Sequence, residues 1–197
     1  MLFLRRLANR NMSVHAQLDV LERCGIVPNP GVGIPELLAI FSERQYETDP
    51  FRRLLIALGG ESDDLRRLPL CKGIWRLQVG CIAGPGDYER VAHRMALLVG
   101  DALPLNEVRD QFEVGASIAW LHFRLADAQF DWPARIRERW IDPSIISRFV
   151  ALLEAQPTDK RFFQFDMSGQ DVLIGCATPA QFAELRRRTG LRFEWLG

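Results

Sequence analysis

The residues able to do chemistry in this chain are few and widely separated. Nucleophilic catalysis needs a serine or cysteine with a base and an orienting acid within reach. The nearest approach to that pattern is Cys81, Asp87 and His93 around the turn Gly84-Pro85-Gly86. Helical phase sets His93 two residues from Val91 and from Met95, so its ring is expected to leave the helix on a different side from the core. The other histidines are His15 and His122. His122 falls in an alternating apolar run and is expected to be half-buried and hydrogen-bonded. The aspartates Asp63, Asp64, Asp127, Asp131, Asp142, Asp166 and Asp171 all sit where turns and helix caps need a short acid that bonds nearby amides. Cys24, Cys71, Cys81 and Cys176 form no C-x-x-C pair and have no histidine at zinc-ligand spacing. Free, buried thiols in a reducing compartment are expected. Gly31-Val32-Gly33 lacks the preceding strand, third glycine and lysine of a phosphate loop. No catalytic residue, metal site or cofactor is expected.

The bulk properties narrow the function classes further. The chain has 197 residues, the size of one ordinary domain, and 25 Lys+Arg against 25 Asp+Glu leave no global field for nucleic acid or anionic lipid. Arg186-Arg187-Arg188 is the strongest basic cluster, and a predicted helix C-terminus explains it through the helix dipole. Neither a nucleic-acid nor a membrane partner is expected. In Met1-Leu2-Phe3-Leu4-Arg5-Arg6-Leu7 the arginines follow the apolar run instead of preceding it, so the segment does not read as an export signal. A cytoplasmic protein is expected, with residues 1–12 a dispensable extension and Met12-Ser13 the natural start.

The elements that would position these residues fall into two parts. Residues 13–60 read as helical: Ser13 caps a first helix that stops at Gly25, and Pro35 opens a second with Leu37, Leu38, Ile40 and Phe41 facing the core. Asp49-Pro50 starts a third helix with Phe51, Leu54, Leu55 and Leu58 at helical spacing. Glu61-Ser62-Asp63-Asp64 is a polar hinge, and residues 65–197 form an α+β part packed with the helices as one unit. There, residues 74–79 alternate as a strand and Asp87 caps a helix carrying Val91, Met95, Leu98 and Val99. Residues 108–125 read as extended structure, apolar on both faces, and Ala126-Asp127 turns the chain into a second strand. Asp142-Pro143 starts another helix, and residues 160–196 read as strand–turn–strand–helix–strand. The fold class is α+β, an antiparallel or mixed sheet covered by helices with a helical N-terminal part.

Tryptophan placement points to a surface. Trp120 and Trp195 lie in apolar strand phase and are expected in the core, whereas Asp131-Trp132 and Trp140-Ile141-Asp142 set large rings beside carboxylates around a polar segment. Interfaces concentrate residues of this kind. Asp131, Trp132, Trp140 and Asp142 are the expected partner-binding residues, with Asp87 and Tyr88 as a second, exposed-turn candidate.

The segment order resembles the immunity proteins of bacterial toxin systems. The resemblance rests on the helical start, an aromatic strand before Gly86-Asp87-Tyr88, the Phe130-Asp131-Trp132 hairpin, Trp140-Ile141-Asp142-Pro143 and the closing Gly169-Gln170-Asp171 module. It implies a small cytosolic protein that occludes a cognate toxin, and it carries no site residues with it. The competing expectation is a small-molecule-binding or catalytic α+β domain with dispersed site residues. Either way, the cysteine pattern generates one test. Thiol titration of the denatured protein should count all four cysteines free, and elemental analysis of the native protein should find no stoichiometric zinc.

Overall fold

In the strand from Asp171 to Ala177, Leu173, Ile174, Gly175 and Ala177 are all buried. An uninterrupted apolar strand must be covered on both faces. The computed structural model of the protein, which describes residues 12–62, 68–113, 115–167 and 169–197, shows how this is done. The expectations for residues 1–11, for Asp63-Asp64 and for Ser168 lie outside the described residues.

The strands are β1 (Glu61–Ser62), β2 (Leu68–Pro69), β3 (Ile74–Gln78), β4 (Leu105–Gln111), β5 (Ile118–Leu125), β6 (Ala128–Arg135), β7 (Arg161–Asp166), β8 (Asp171–Ala177) and β9 (Glu194–Trp195). The α-helices are α1 (Val14–Arg23), α2 (Ile34–Ile40), α3 (Glu43–Thr48), α4 (Arg52–Leu58), α5 (Asp87–Val99), α6 (Pro143–Glu154) and α7 (Pro179–Thr189). The fold is α+β, built on two antiparallel sheets. One has the order β3-β8-β7-β9 and the other β4-β5-β6, while β1 and β2 form a short separate ladder.

The four-stranded sheet separates two cores. Leu173, Phe163 and Ala177 face one, together with Val14, Leu21, Leu37 and Leu54 of the N-terminal helices and Phe182 of α7. Trp75, Leu77, Ile174 and Phe162 face the other, with Val91 and Met95 of α5, Phe149 of α6, and Leu121 and Phe123 of β5. The N-terminal helices and the C-terminal module therefore share one core, which makes the closing module integral to the fold.

Polar groups fix this packing at a few points. Gln17 is fully buried; its Nε2 donates to Met12 O at 2.7 Å and Tyr46 O at 3.1 Å, and its Oε1 accepts the Phe51 amide at 2.8 Å. That amide belongs to a non-glycine residue in the left-handed region (φ 62°), so Gln17 stabilises a strained entry into α4. At the other core, the Asp110 carboxylate of β4 accepts the amides of Gly86, Tyr88 and Glu89 at 2.8 to 3.3 Å. Those are unpaired donors at the start of α5, and a carboxylate is also favoured there by the helix dipole.

Several expectations need correction. Asp87 does not cap α5: it is the first helical residue, its carboxylate turns back to the amides of Ala83 and Gly84, and Asp110 from a distant strand caps the helix instead. In α2 only Leu37 is buried, because the helix is short and lies at the edge of the core, leaving Leu38 and Ile40 exposed. Residues 108–125 are not one extended run: they fall on two antiparallel strands, β4 ending at Gln111 and β5 beginning at Ile118. Ile118 and Trp120 point to the uncovered side of the three-stranded sheet, so Trp120 is not a core residue. Trp195 is half-buried on edge strand β9, stacked on Phe182 with centroids 3.7 Å apart, and Phe193 is the buried aromatic of that segment.

Gly175 is the tightest point of the four-stranded sheet. It pairs with Phe163 across the β7–β8 ladder, and a Cβ built on it would meet Phe163 Cε1 and Cε2 at 2.8 Å. Gly175→Ala is expected to cost about 1–3 kcal/mol through overpacking. At about 2–4 °C per kcal/mol for a chain of this size, the melting temperature should fall by several degrees. Phe163→Leu in the same background should recover part of the loss, and an unchanged melting temperature would show that the ring does not lie on the glycine.

Candidate functional site

The link between the two sheets is residues 135–142, and its backbone is pinned. Ile141 N donates to Val79 O at 2.8 Å and Ile82 N donates to Arg139 O at 3.0 Å, so this segment is fastened to the chain just beyond the end of β3. Alternation then does the rest: Ile141 turns inward and is buried, and Trp140 turns outward and stays 41% exposed. An isolated bridge between Arg137 and Trp140 closes the loop on itself.

Asp142 locks the end of this segment. Its Oδ1 accepts Ser144 N at 2.9 Å, which caps α6, and its Oδ2 accepts Arg135 N at 2.7 Å at the end of β6. Its own amide donates to the Tyr88 hydroxyl of α5 at 3.2 Å. Partial burial would raise the Asp142 pKa, but the amides of Arg135 and Ser144, the Ser144 hydroxyl and the Arg135 charge outweigh it and hold the carboxyl below its usual value. Burial pushes the Tyr88 phenol up, so it remains neutral and available to that amide.

Below Trp140 lies an open groove of about 720 Å³. Three strands of the larger sheet and the residue that follows the fourth contribute to its floor: Leu77 from β3, Val172 from β8, Gln164 from β7 and Leu196 just beyond β9. Pro143, Ile146 and Ser147 of α6 form a wall, and Arg135 and Arg137 stand with Trp140 at its mouth. Arg135 is also the register partner of Ile118, so the groove joins the outer face of the three-stranded sheet there. On that face His122 Nδ1 meets Asp131 Oδ1 at 2.5 Å, with Trp120 stacked beside the imidazole. Hydrogen bonds from His122 and then Gln129, with the charges of His122 and Arg109, hold the Asp131 carboxyl below its usual value.

The expected site residues are therefore sorted by their surroundings. Trp140 is at the groove mouth. Asp142 lines the groove, but both its oxygens are committed to backbone amides. Asp131 is on the outer sheet face, paired with His122. Trp132 belongs to the inner face: its ring meets Phe123 at 4.7 Å and Phe149 at 5.0 Å, edge to face, with Arg148 over it. It is a packing residue, because even-numbered positions of β6 face the core. Tyr88 is not on an exposed turn; it is fully enclosed (0% exposed). Asp87 lies outside the groove, engaged with the amides of Ala83 and Gly84 and with Arg90 at 3.6 Å. Arg135 and Arg137 were missed by the sequence reading, although arginine at every second position from 135 to 139 is a signal of one solvent-facing edge.

Of Cys81, Asp87 and His93, the histidine lies on Glu89 at 3.7 Å, and burial raises the Cys81 thiol pKa, with the Asp87 charge adding to the rise. The register neighbours of His122 are Arg109 and Asp131, and the Asp131 carboxylate is engaged by the imidazole itself. Among the described residues, no group of three or more His, Cys, Asp or Glu is placed to hold a metal ion, and no helix is long and apolar enough to cross a membrane. No family model, curated protein or solved structure matches the chain.

Asp142 generates a prediction with a defined sign. A carboxyl whose folded pKa lies below its unfolded value contributes stability that is complete above the unfolded value and lost as pH falls through the folded one. The contribution of Asp142 should fade below its ordinary value of 3.8. Acid unfolding of the wild type should therefore be steeper there than that of Asp142→Asn. At neutral pH, Asp142→Ala should cost about 1 kcal/mol through the lost cap and shift the Trp140 emission.

Proposed function

We propose that this protein is a non-catalytic protein-binding module, in its most specific form a toxin-neutralising immunity protein that occludes its cognate toxin. The observation that carries the reading is Trp140, an exposed indole held over an open apolar groove by a hydrogen-bonded loop. A single exposed apolar side chain is ordinary, but here the ring adjoins an apolar groove, and a fixed aromatic anchor beside arginines is the composition of a binding hot spot. Because the loop is already ordered, little conformational entropy is lost on association.

Small-molecule binding is the competing reading, and the groove volume of about 720 Å³ favours it. That volume lies within the span of small-ligand sites, about 300–1,000 Å³. Against it stands the position of the polar groups: the lining carboxylate is committed to the backbone, and the exposed arginines, Arg135 and Arg137, stand at the mouth and not within an enclosed site. Occlusion needs a rigid surface and no reacting group, which fits this inventory better.

The test is a partner search followed by mutagenesis. With the partner identified, Trp140→Ala should leave the fold intact and weaken the complex about thirtyfold, the effect of losing roughly 2 kcal/mol at an anchor. If the partner is a toxin, protection of cells expressing it should be lost in parallel. Trp132→Ala should instead lower the melting temperature, because it empties an aromatic core at a cost of about 3–5 kcal/mol. A folded Trp140→Ala protein that binds its partner with unchanged affinity would remove Trp140 from the interface.

A further inference from the structure

The charge of the groove mouth is opposite to what the acid–aromatic sequence pattern suggests. Asp131 and Asp142 would meet basic groups on a partner if their carboxylates were free. Asp142 Oδ1 and Oδ2 each accept a backbone amide, and Asp131 is paired with His122 on the outer sheet face. Residues 135–141 carry three arginines against the single acid Glu138. Arg135 and Arg137 form no ion pair among the described residues, although the Arg135 charge does act on Asp142. The remaining polar groups of the lining, Gln164 and Ser147, are neutral, and the Ser147 hydroxyl donates to Pro143 O at 3.3 Å. What the groove offers an occupant is an apolar floor with guanidinium groups at its mouth.

Shape adds a second constraint. The floor spans β3, β8 and β7 and reaches Leu196 just beyond β9, and three spacings of about 4.8 Å give a length of about 14 Å, or about four residues of extended chain. The exposed apolar surface does not stop at the groove. Beyond Arg135 it continues through Ile118 (45% exposed) to Trp120 (39% exposed), a footprint larger than a small ligand covers. Planar guanidinium groups bind carboxylates through paired hydrogen bonds, and a cationic segment would be repelled.

We infer that the groove takes an extended segment of a partner protein in which acidic residues flank one or two large apolar ones. The apolar side chains lie on Leu77, Val172 and Ile146 beneath Trp140, and the carboxylates meet Arg135 and Arg137. This rests on the protein-binding reading and specifies the chemistry of the partner.

The full-length chain, immobilised, is panned against a random dodecapeptide library, and the most enriched peptides are synthesised and titrated by tryptophan fluorescence at low and high salt. The expected result is enrichment of Asp and Glu beside Leu, Phe or Trp, with binding weakened by salt. Arg137→Glu, a change at an exposed side chain that leaves the core untouched, should weaken these peptides about tenfold at low salt. Peptides with lysine in place of the acids should then bind Arg137→Glu better than wild type. If the enriched peptides are neutral or basic but still lost with Trp140→Ala, the acidic assignment is overturned and protein binding stands. If no peptide is retained while dansylundecanoic acid binds and is lost with Trp140→Ala, both are overturned in favour of a small-ligand groove.

Discussion

Burial of the four-stranded sheet on both faces is the constraint from which the rest of the architecture follows. Because β8 presents Leu173 to one core and Ile174 to the other, neither layer of helices can be removed without exposing half of it. The N-terminal helices and α7 cover one side, and α5, α6 and the three-stranded sheet cover the other. Gly175 lets the Phe163 ring lie flat against the strand, where any side chain would hold the layers apart. The cost of this arrangement is that both edges of the sheet must be handled. One is short, at β9, and at the other Arg76 N of β3 donates to Gly59 O at 2.7 Å, while just beyond the strand Val79 and Ile82 bond to residues 139–141. The loop fastened there is the same loop that lifts Trp140 into solvent.

Carboxylates in this protein act inward. Asp110 caps α5 from across the sheet, Asp87 ties down its own preceding turn, and Asp142 joins β6, α6 and, through Tyr88, α5. Each satisfies amides that would otherwise be orphaned at a helix start or a chain reversal, so each is structural before it is anything else. The consequence for function is electrostatic. With the acids turned toward the backbone, the charge left facing outward around the groove is that of Arg135 and Arg137. A surface that reads as acid–aromatic along the chain becomes basic–aromatic in three dimensions.

Rigidity is the property that links this packing to the proposed binding role. Trp140 is not carried on a long free loop; the residues beside it are bonded to Val79 and Ile82, and two residues on the chain enters α6 through a capped first turn. In the proposed protein-binding role, association at such a site would order little that was not already ordered, and the anchor would exclude water from the partner while the arginines set approach and register.

The sequence by itself determined the α+β class, most element boundaries and their caps. Those depend on neighbours in the chain: Ser13 before α1, Asp142-Pro143 before α6, Thr178-Pro179 before α7, Gly190 after it, and the alternation of β5. It also set Trp140 in a stretch with no apolar face to join, where the ring is in fact exposed, and His122 as half-buried and hydrogen-bonded, which it is. Only the tertiary structure decided which side of an alternating strand is covered. That choice sent Trp132 inward to Phe149 and left Trp120 outward, although both occupy equally regular positions. It also replaced the local cap expected at Asp87 with Asp110, enclosed Tyr88, and assembled a groove from three strands, the residue that follows a fourth, and a helix. The physical reason is the same in each case. Caps and turns are satisfied by atoms a few residues away, whereas burial, charge pairing and concavity depend on which distant surfaces meet.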